Sequence, residues 1–160
     1  MSRPRYITPE GFARIAREHE RIWTVDRPKI VAEVEAAAAL GDRSENAEYI
    51  YGKKKLREID RRIHFLTKRL ESARVIEPTD RPDTNRIFFG ATITIEDEDG
   101  NESTYTIVGQ DEIDTKLGRI SHKSPLALAL LKRREGDTFT FRKPAGEVEL
   151  TVTKISYDSD

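Results

Sequence analysis

The feature that most restricts what this chain can fold into is a seam of small and apolar residues, Tyr49, Gly52, Leu56, Ile59, Ile63, Leu66, Leu70 and Ala73, at alternating spacings of three and four. That repeat marks one stripe of an α-helix and matches the inward positions of a coiled coil. A helix from Ser44 to about Val75 would run roughly 45 Å at 1.5 Å per residue, too long for one compact core in a chain of 160 residues. Its apolar stripe has to be covered by a second long helix.

The preceding segment supplies one. In Thr8-Pro9-Glu10, Thr8 can cap a helix, Pro9 falls where its missing N–H is harmless, and Glu10 suits the positive end of the dipole. Apolar residues follow at helical spacing: Phe12, Ile15, Ala16, Ile22 and Trp23, then Ile30, Val31, Val34, Ala37 and Ala38. Trp23 lies on this stripe and is expected in the core. The stripe shifts phase near Asp26-Arg27-Pro28, and Pro28 removes a helix hydrogen bond and crowds the preceding turn, so a kink or brief break is expected there. Two such helices joined at Leu40-Gly41-Asp42 bury their stripes only against each other, as an antiparallel coiled-coil hairpin whose connection is its tip. Ala36 to Ala39 permit a slender end, although alanine is also simply a good helix former.

Beyond Pro78 the pattern changes. Residues 79–85 are rich in turn formers and read as a linker between an N-terminal hairpin domain, 1–78, and a second domain, 86–160. In the latter, Ala91 to Glu96 and Thr104 to Val108 flank the turn Asp99-Gly100-Asn101 as a hairpin. Ser124-Pro125 opens a short apolar helix through Leu131, and strands Thr138 to Arg142 and Val148 to Ile155 flank a Lys143-Pro144-Ala145-Gly146-Glu147 turn. The fold class expected is α+β, with a helical hairpin followed by a small, mostly antiparallel sheet domain carrying a short helix. Charge divides along the same line, with 17 Lys+Arg against 13 Asp+Glu over residues 1–77 and 11 against 16 over 78–160, which together give the net −1. The absence of cysteine excludes disulfides and thiolate metal sites and suits a reducing compartment, and no run approaches a signal peptide or a membrane span. A soluble cytoplasmic protein without a membrane partner is expected.

The tip, Leu40-Gly41-Asp42-Arg43-Ser44-Glu45-Asn46-Ala47-Glu48-Tyr49, is the most informative stretch. Asp42 and Glu45 have the spacing of a capping box at the start of the second helix. The same spacing can turn two carboxylates toward one point, where they would share a hard divalent cation. Mg²⁺ accepts one or two carboxylates and keeps other positions for water or substrate oxygens, so this pair alone would hold it weakly. Completed by ligands from another protein, it could serve as the second ion of a two-metal site.

This tip, with Lys53-Lys54-Lys55-Leu56-Arg57-Glu58-Ile59-Asp60-Arg61-Arg62-Ile63, closely resembles the Gre transcript-cleavage factors, on the GreB rather than the GreA side. Ser121-His122-Lys123-Ser124-Pro125-Leu126-Ala127-Leu128-Ala129-Leu130-Leu131, then Gly136-Asp137, resembles their C-terminal signature. The resemblance implies a non-enzyme that inserts its hairpin into the secondary channel of bacterial RNA polymerase and stimulates Mg-dependent cleavage of backtracked nascent RNA. It further implies an FKBP-like C-terminal domain docking outside through Lys123, Ser124 and Pro125, and action as a monomer. Asp42 and Glu45 would be lent to the polymerase as catalytic and metal-binding groups, Ser44 would orient the tip, and the factor would hold no cofactor of its own, sharing Mg with its host. Where the GreB pattern usually carries an acid, this chain has Lys123, which reverses a charge at the docking surface.

Lys54, Arg57, Arg61, His64 and Lys68 form a basic stripe away from the seam, flanked by Lys55, Arg62 and Arg69. Such a stripe is commonly a solvated face, and the flanking cations are placed to pair across the hairpin. The resemblance instead implies that Lys54, Arg57, Arg61 and Lys68 contact RNA phosphates. His19, His64 and His122 show no zinc-site spacing. The nearest rival is a channel-binding relative that inhibits polymerase without stimulating cleavage, against which the presence of both acids counts. Autonomous nuclease or prolyl isomerase activity is the rival of another class, and fold likeness alone does not carry either.

Overall fold

The structure, a computed structural model, describes residues 4–41, 46–77 and 85–157. The chain divides into two compact units, one over Phe12–Ala73 and the other combining Pro4–Gly11 with the chain from Arg74 onward. Pro4–Gly11 thus belongs with the sheet unit, and most of the expected 79–85 linker lies outside the described residues.

In the first unit the helices are α1 (Pro9–Arg21, which begins in the other unit), α2 (Arg27–Ala38) and α3 (Ala47–Ser72). They run antiparallel, because cross-helix partners descend along α3 as they climb α1 and α2. His19 Nε2 meets Thr67 Oγ1 at 3.0 Å, Arg27 donates to Asp60 at 2.8 Å, and the Asn46 carboxamide reaches the Ala37 carbonyl at 2.7 Å. Every described α3 residue of the expected seam is shielded, Gly52 and Leu66 most completely, while the neighbours on the opposite face are exposed. On α2, Ile30, Val31, Val34, Ala37 and Ala38 are likewise the covered positions. Burial of matched stripes, rather than helix propensity, holds the pair together.

Three local expectations are corrected. α3 starts at Ala47 rather than Ser44, and it ends at Ser72, because Ala73 turns extended (φ −69°, ψ 137°) and opens a short strand. The interruption expected near Pro28 takes the form of a single π turn, Ile22–Asp26, rather than a break, and it joins α1 to α2, closed by the Arg27 N–H on the Ile22 carbonyl. The wider turn makes room for the proline ring. Trp23, within that turn, is not core but 55% exposed, with the Arg27 guanidinium 5.7 Å from its ring centre.

The second unit contains a two-stranded sheet, β1 (Arg5–Ile7) with β2 (Ala73–Val75), and a five-stranded sheet. The latter comprises β3 (Thr92–Glu96), β4 (Glu102–Val108), β5 (Arg119–Ser121), β6 (Thr138–Lys143) and β7 (Gly146–Ser156), in the order β5-β4-β3-β7-β6. Pairing is antiparallel except for β4 with β5, the short parallel strand that the alternation pattern did not reveal. Asp97 organises the β3–β4 turn by accepting the N–H groups of Asp99 and Asn101, both at 2.9 Å. One face of the sheet buries Ile93, Ile107 and Val152 with Ile87, and α4 (Pro125–Leu130) adds Ala127 and Leu130 to that core.

The chain start is fastened to this unit by polar contacts. The buried Glu112 carboxylate accepts the backbone N–H groups of Thr8 (3.0 Å) and Gly109 (2.9 Å) and the Thr8 hydroxyl. Thr8 Oγ1 in turn accepts from the Gly11 N–H at 3.1 Å, fulfilling its expected capping role. Arg5 grips Asp111 with two parallel bonds of 2.9 and 3.1 Å.

Where α2 crosses α3, a methyl group at Gly52 would lie 2.7 Å from Val34 Cγ2. Alanine in a helix interior is worth up to about 1 kcal/mol over glycine. Here overpacking costs more, typically about 1–3 kcal/mol, because valine's χ1 is nearly fixed in a helix. Gly52→Ala is expected to lower the thermal midpoint, and the double variant Gly52→Ala/Val34→Ala to recover part of that loss, as followed by circular dichroism.

Candidate functional site

The residues expected to carry the chemistry, Asp42, Ser44 and Glu45, lie outside the described residues. Their immediate flanks are described. On the α2 side the helix ends at Ala38, the Leu40 N–H reaches the Ala37 carbonyl at 3.1 Å, and Gly41 adopts φ +124°, a conformation open essentially to glycine. On the α3 side Asn46 is the N-cap, its Oδ1 accepting the Tyr49 N–H at 3.1 Å. Asn46 therefore occupies the position that the capping-box reading gave to Asp42. The contacts of the two acids themselves lie outside the described residues.

No role for Asn46 is evident from the tip motif itself. The available signal was an asparagine directly before the first periodic helix residues, among the strongest N-cap preferences.

Below the tip, Lys54, Arg57, Arg61, His64 and Lys68 are all exposed along α3. The flanking cations behave differently from one another. Arg62 forms a fork on Glu18 of α1, with bonds of 2.6 and 3.0 Å, and this hydrogen bonding holds the Glu18 carboxyl below the usual carboxylate range. Arg69 lies 4.5 Å from the Phe65 ring centre. Asp60, Arg61, His64, Phe65, Lys68 and Arg69 line a shallow depression on this helix, with an apolar floor and a cationic rim.

In the second unit the expected docking residues sit at the start of α4. Ser124 caps it by accepting the Ala127 N–H at 3.2 Å, Pro125 takes the first helical position, and both Lys123 and Pro125 are exposed. The His122 ring is part of an aromatic cluster, 5.4 Å from both Tyr6 and Phe89. No spacing rule links those three residues, which the fold brings together from β1, the segment before β3 and the loop before α4.

Among the described residues no group of three or more His, Cys, Asp or Glu side chains converges as a metal site, and no helix is long and apolar enough to cross a membrane.

Comparison with known proteins matches both halves of the chain. Residues 5–75 fit the family described as Transcription elongation factor, N-terminal, of the GreA/GreB group, and residues 82–157 fit Transcription elongation factor, GreA/GreB, C-term. Transcription elongation factor GreB of Pseudomonas aeruginosa is 53% identical over 152 residues, covering 94% of this chain and 89% of its own. GreB of Haemophilus influenzae is 44% identical over 158 residues, covering 99% of each. The crystal structure of GreA factor homolog 1 of Thermus thermophilus is 23% identical, covers 96% of this chain and 99% of its own, and superposes with a TM-score of 0.43. The chain belongs to the GreA/GreB family of transcription elongation factors, on its GreB branch.

Burial and the neighbouring Lys123 push the His122 imidazole below its ordinary pKa. The unfolded chain then binds more protons than the folded one between that lowered value and about 6.5. Stability from this site is fully present above about pH 6.5 and is lost as the pH falls through that window. His122→Phe, which keeps the ring contacts, is expected to flatten the dependence of the melting temperature on pH between about 5 and 7 relative to the parent, as measured by scanning calorimetry.

Proposed function

We propose that this chain is an activator of bacterial RNA polymerase which lends Asp42 and Glu45 to the polymerase active centre and stimulates cleavage of backtracked RNA, acting as a monomer in the cytoplasm and catalysing nothing alone. The observation that carries this reading is the likeness to GreB factors over nearly the whole chain, joined to a helical hairpin whose connecting segment holds both acids. A purely inhibitory channel binder is not favoured by relatives named as elongation factors.

The donor chemistry suits the metal. Asp42 and Glu45 offer hard carboxylate oxygens, the preferred ligands of Mg²⁺, and two are too few to hold it without a host. Bound between the two proteins, Mg²⁺ would supply Lewis-acid activation of water and stabilise developing charge. The chain's own part is to deliver negative charge on a hairpin fixed by its seam. Ser44 would hold the segment's orientation, and the exposed cations Lys54, Arg57, Arg61 and Lys68 would attract the RNA phosphates. Lys123, Ser124 and Pro125 would meet the polymerase exterior, with Lys123 calling for an acidic counterpart there. The sheet unit is read as FKBP-like in architecture without isomerase activity.

The test is incubation of the chain with RNA and Mg²⁺, with the RNA either free or held in stalled, backtracked polymerase complexes. Cleavage by the chain alone would overturn the proposal. Asp42→Asn, which removes one charge and little volume, is expected to leave folding and polymerase binding intact. It should lower the stimulated cleavage rate on the order of a hundredfold, the loss typical of deleting one preorganised charge-stabilising group. Near-normal cleavage would mean that the charge is not used.

A further inference from the structure

We infer that Asn46 is a positioning residue for the acids of the tip: its single carboxamide ties the end of α2 to the start of α3, on either side of the connection that carries Asp42 and Glu45. The inference rests on the proposed function and adds a residue to it.

The side chain performs two separate tasks. Its Oδ1 accepts the Tyr49 N–H at 3.1 Å and so caps α3, and its Nδ2 donates to the Ala37 carbonyl of α2 at 2.7 Å. The carbonyls in the last turn of a helix have no amide of their own helix ahead of them. That of Ala37 is met instead by the Leu40 N–H at 3.1 Å and by Asn46 from across the hairpin. Ala37 is only 3% exposed, so water competes poorly for this carbonyl. The result is a polar cross-link placed one residue after Glu45 and five before Asp42.

Capping alone does not demand asparagine, since Asp and Ser cap about equally well. The second bond does. Aspartate has no N–H to donate, and serine's hydroxyl, although it can accept and donate at once, ends one bond nearer the backbone than the carboxamide nitrogen does. A carboxamide is the smallest side chain that offers an acceptor and a donor on one rigid plane. The need for such a clamp follows from the chemistry: carboxylates that complete a metal site in another protein act only in the right geometry, and a displacement of about 1 Å can cost up to about a hundredfold in rate.

Asn46→Ser separates the two tasks without altering charge, and Asn46→Asp does so while retaining the longer acceptor. In the free protein, both are expected to keep the helical circular dichroism signal and slow exchange of the Tyr49 amide. In the parent alone, the Asn46 carboxamide protons should themselves exchange slowly in NMR spectra. With stalled polymerase, Asn46→Ser should leave the half-saturating factor concentration unchanged, lower the saturated cleavage rate about tenfold or more, and raise the Mg²⁺ concentration needed for half-maximal rate. A parental rate and Mg²⁺ dependence in a folded Asn46→Ser or Asn46→Asp would overturn the inference, as would a loss confined to binding or fast-exchanging carboxamide protons in the parent. If the parent chain itself fails to stimulate cleavage, the proposed function falls instead, and the carboxamide exchange still reports on the clamp.

Discussion

The close approach of α2 and α3 at Gly52 and Val34 is the constraint on which the hairpin depends. With no side chain on Gly52, the valine methyl packs onto the facing helix backbone, and the seam residues above and below are drawn into the same narrow interface. Helix pairs packed on a repeating apolar stripe can slip by a turn at modest cost unless something specifies the register. Here a small residue opposite a β-branched one supplies a lock of shape, and polar contacts add locks of direction. Arg62 on Glu18, Arg27 on Asp60, His19 beside Thr67 and Asn46 on the Ala37 carbonyl are all satisfied in one register. The ion pairs are at least partly exposed and each is worth little on its own, so their contribution is to selection among registers more than to stability.

Register matters because it decides where the connection that carries both acids lies. A coiled coil tolerates changes along its outer faces, but the position of its turn follows wherever the two strands of the pair are locked. The α2 end, Gly41 with its left-handed backbone, and the Asn46 cap define that turn from both sides. The sheet unit is governed by different physics, a dry layer between α4 and the sheet, with Glu112 collecting the backbone donors at the beginning of the chain. The two units therefore answer to separate tests and separate mutations.

Much of this was legible in the residues. The seam from Tyr49 to Leu70, the α2 stripe, the Thr8 cap, the β3–β4 hairpin and the Ser124-Pro125 helix start all follow from periodicity and capping chemistry, which are local. What was not legible depends on contacts distant in sequence or on backbone detail. A π turn before Pro28 carries no pattern distinct from a kink, and Trp23, expected in the core, lies within that turn at the surface. The three-residue strands β1, β2 and β5 are too short to show alternation. Glu112 and the Tyr6, Phe89 and His122 cluster acquire their roles only from partners that the fold supplies. At the tip, Asp42 and Glu45 are singled out by the family resemblance as much as by their spacing and lie outside the described residues, while the cap of α3 is their neighbour Asn46.

A cysteine-free chain of 160 residues is well suited to solution NMR, and the register of the hairpin can be read there without altering a residue. Cross-relaxation between the Val34 methyl protons and the Gly52 α-protons reports the contact directly. Packing in this register predicts a strong signal for that pair, with none from the Val34 methyls to the side chain of Tyr49 or Leu56 of comparable strength. A Val34 signal centred on Tyr49 or Leu56, one turn away in either direction, would contradict it and would move the acid-bearing connection with it.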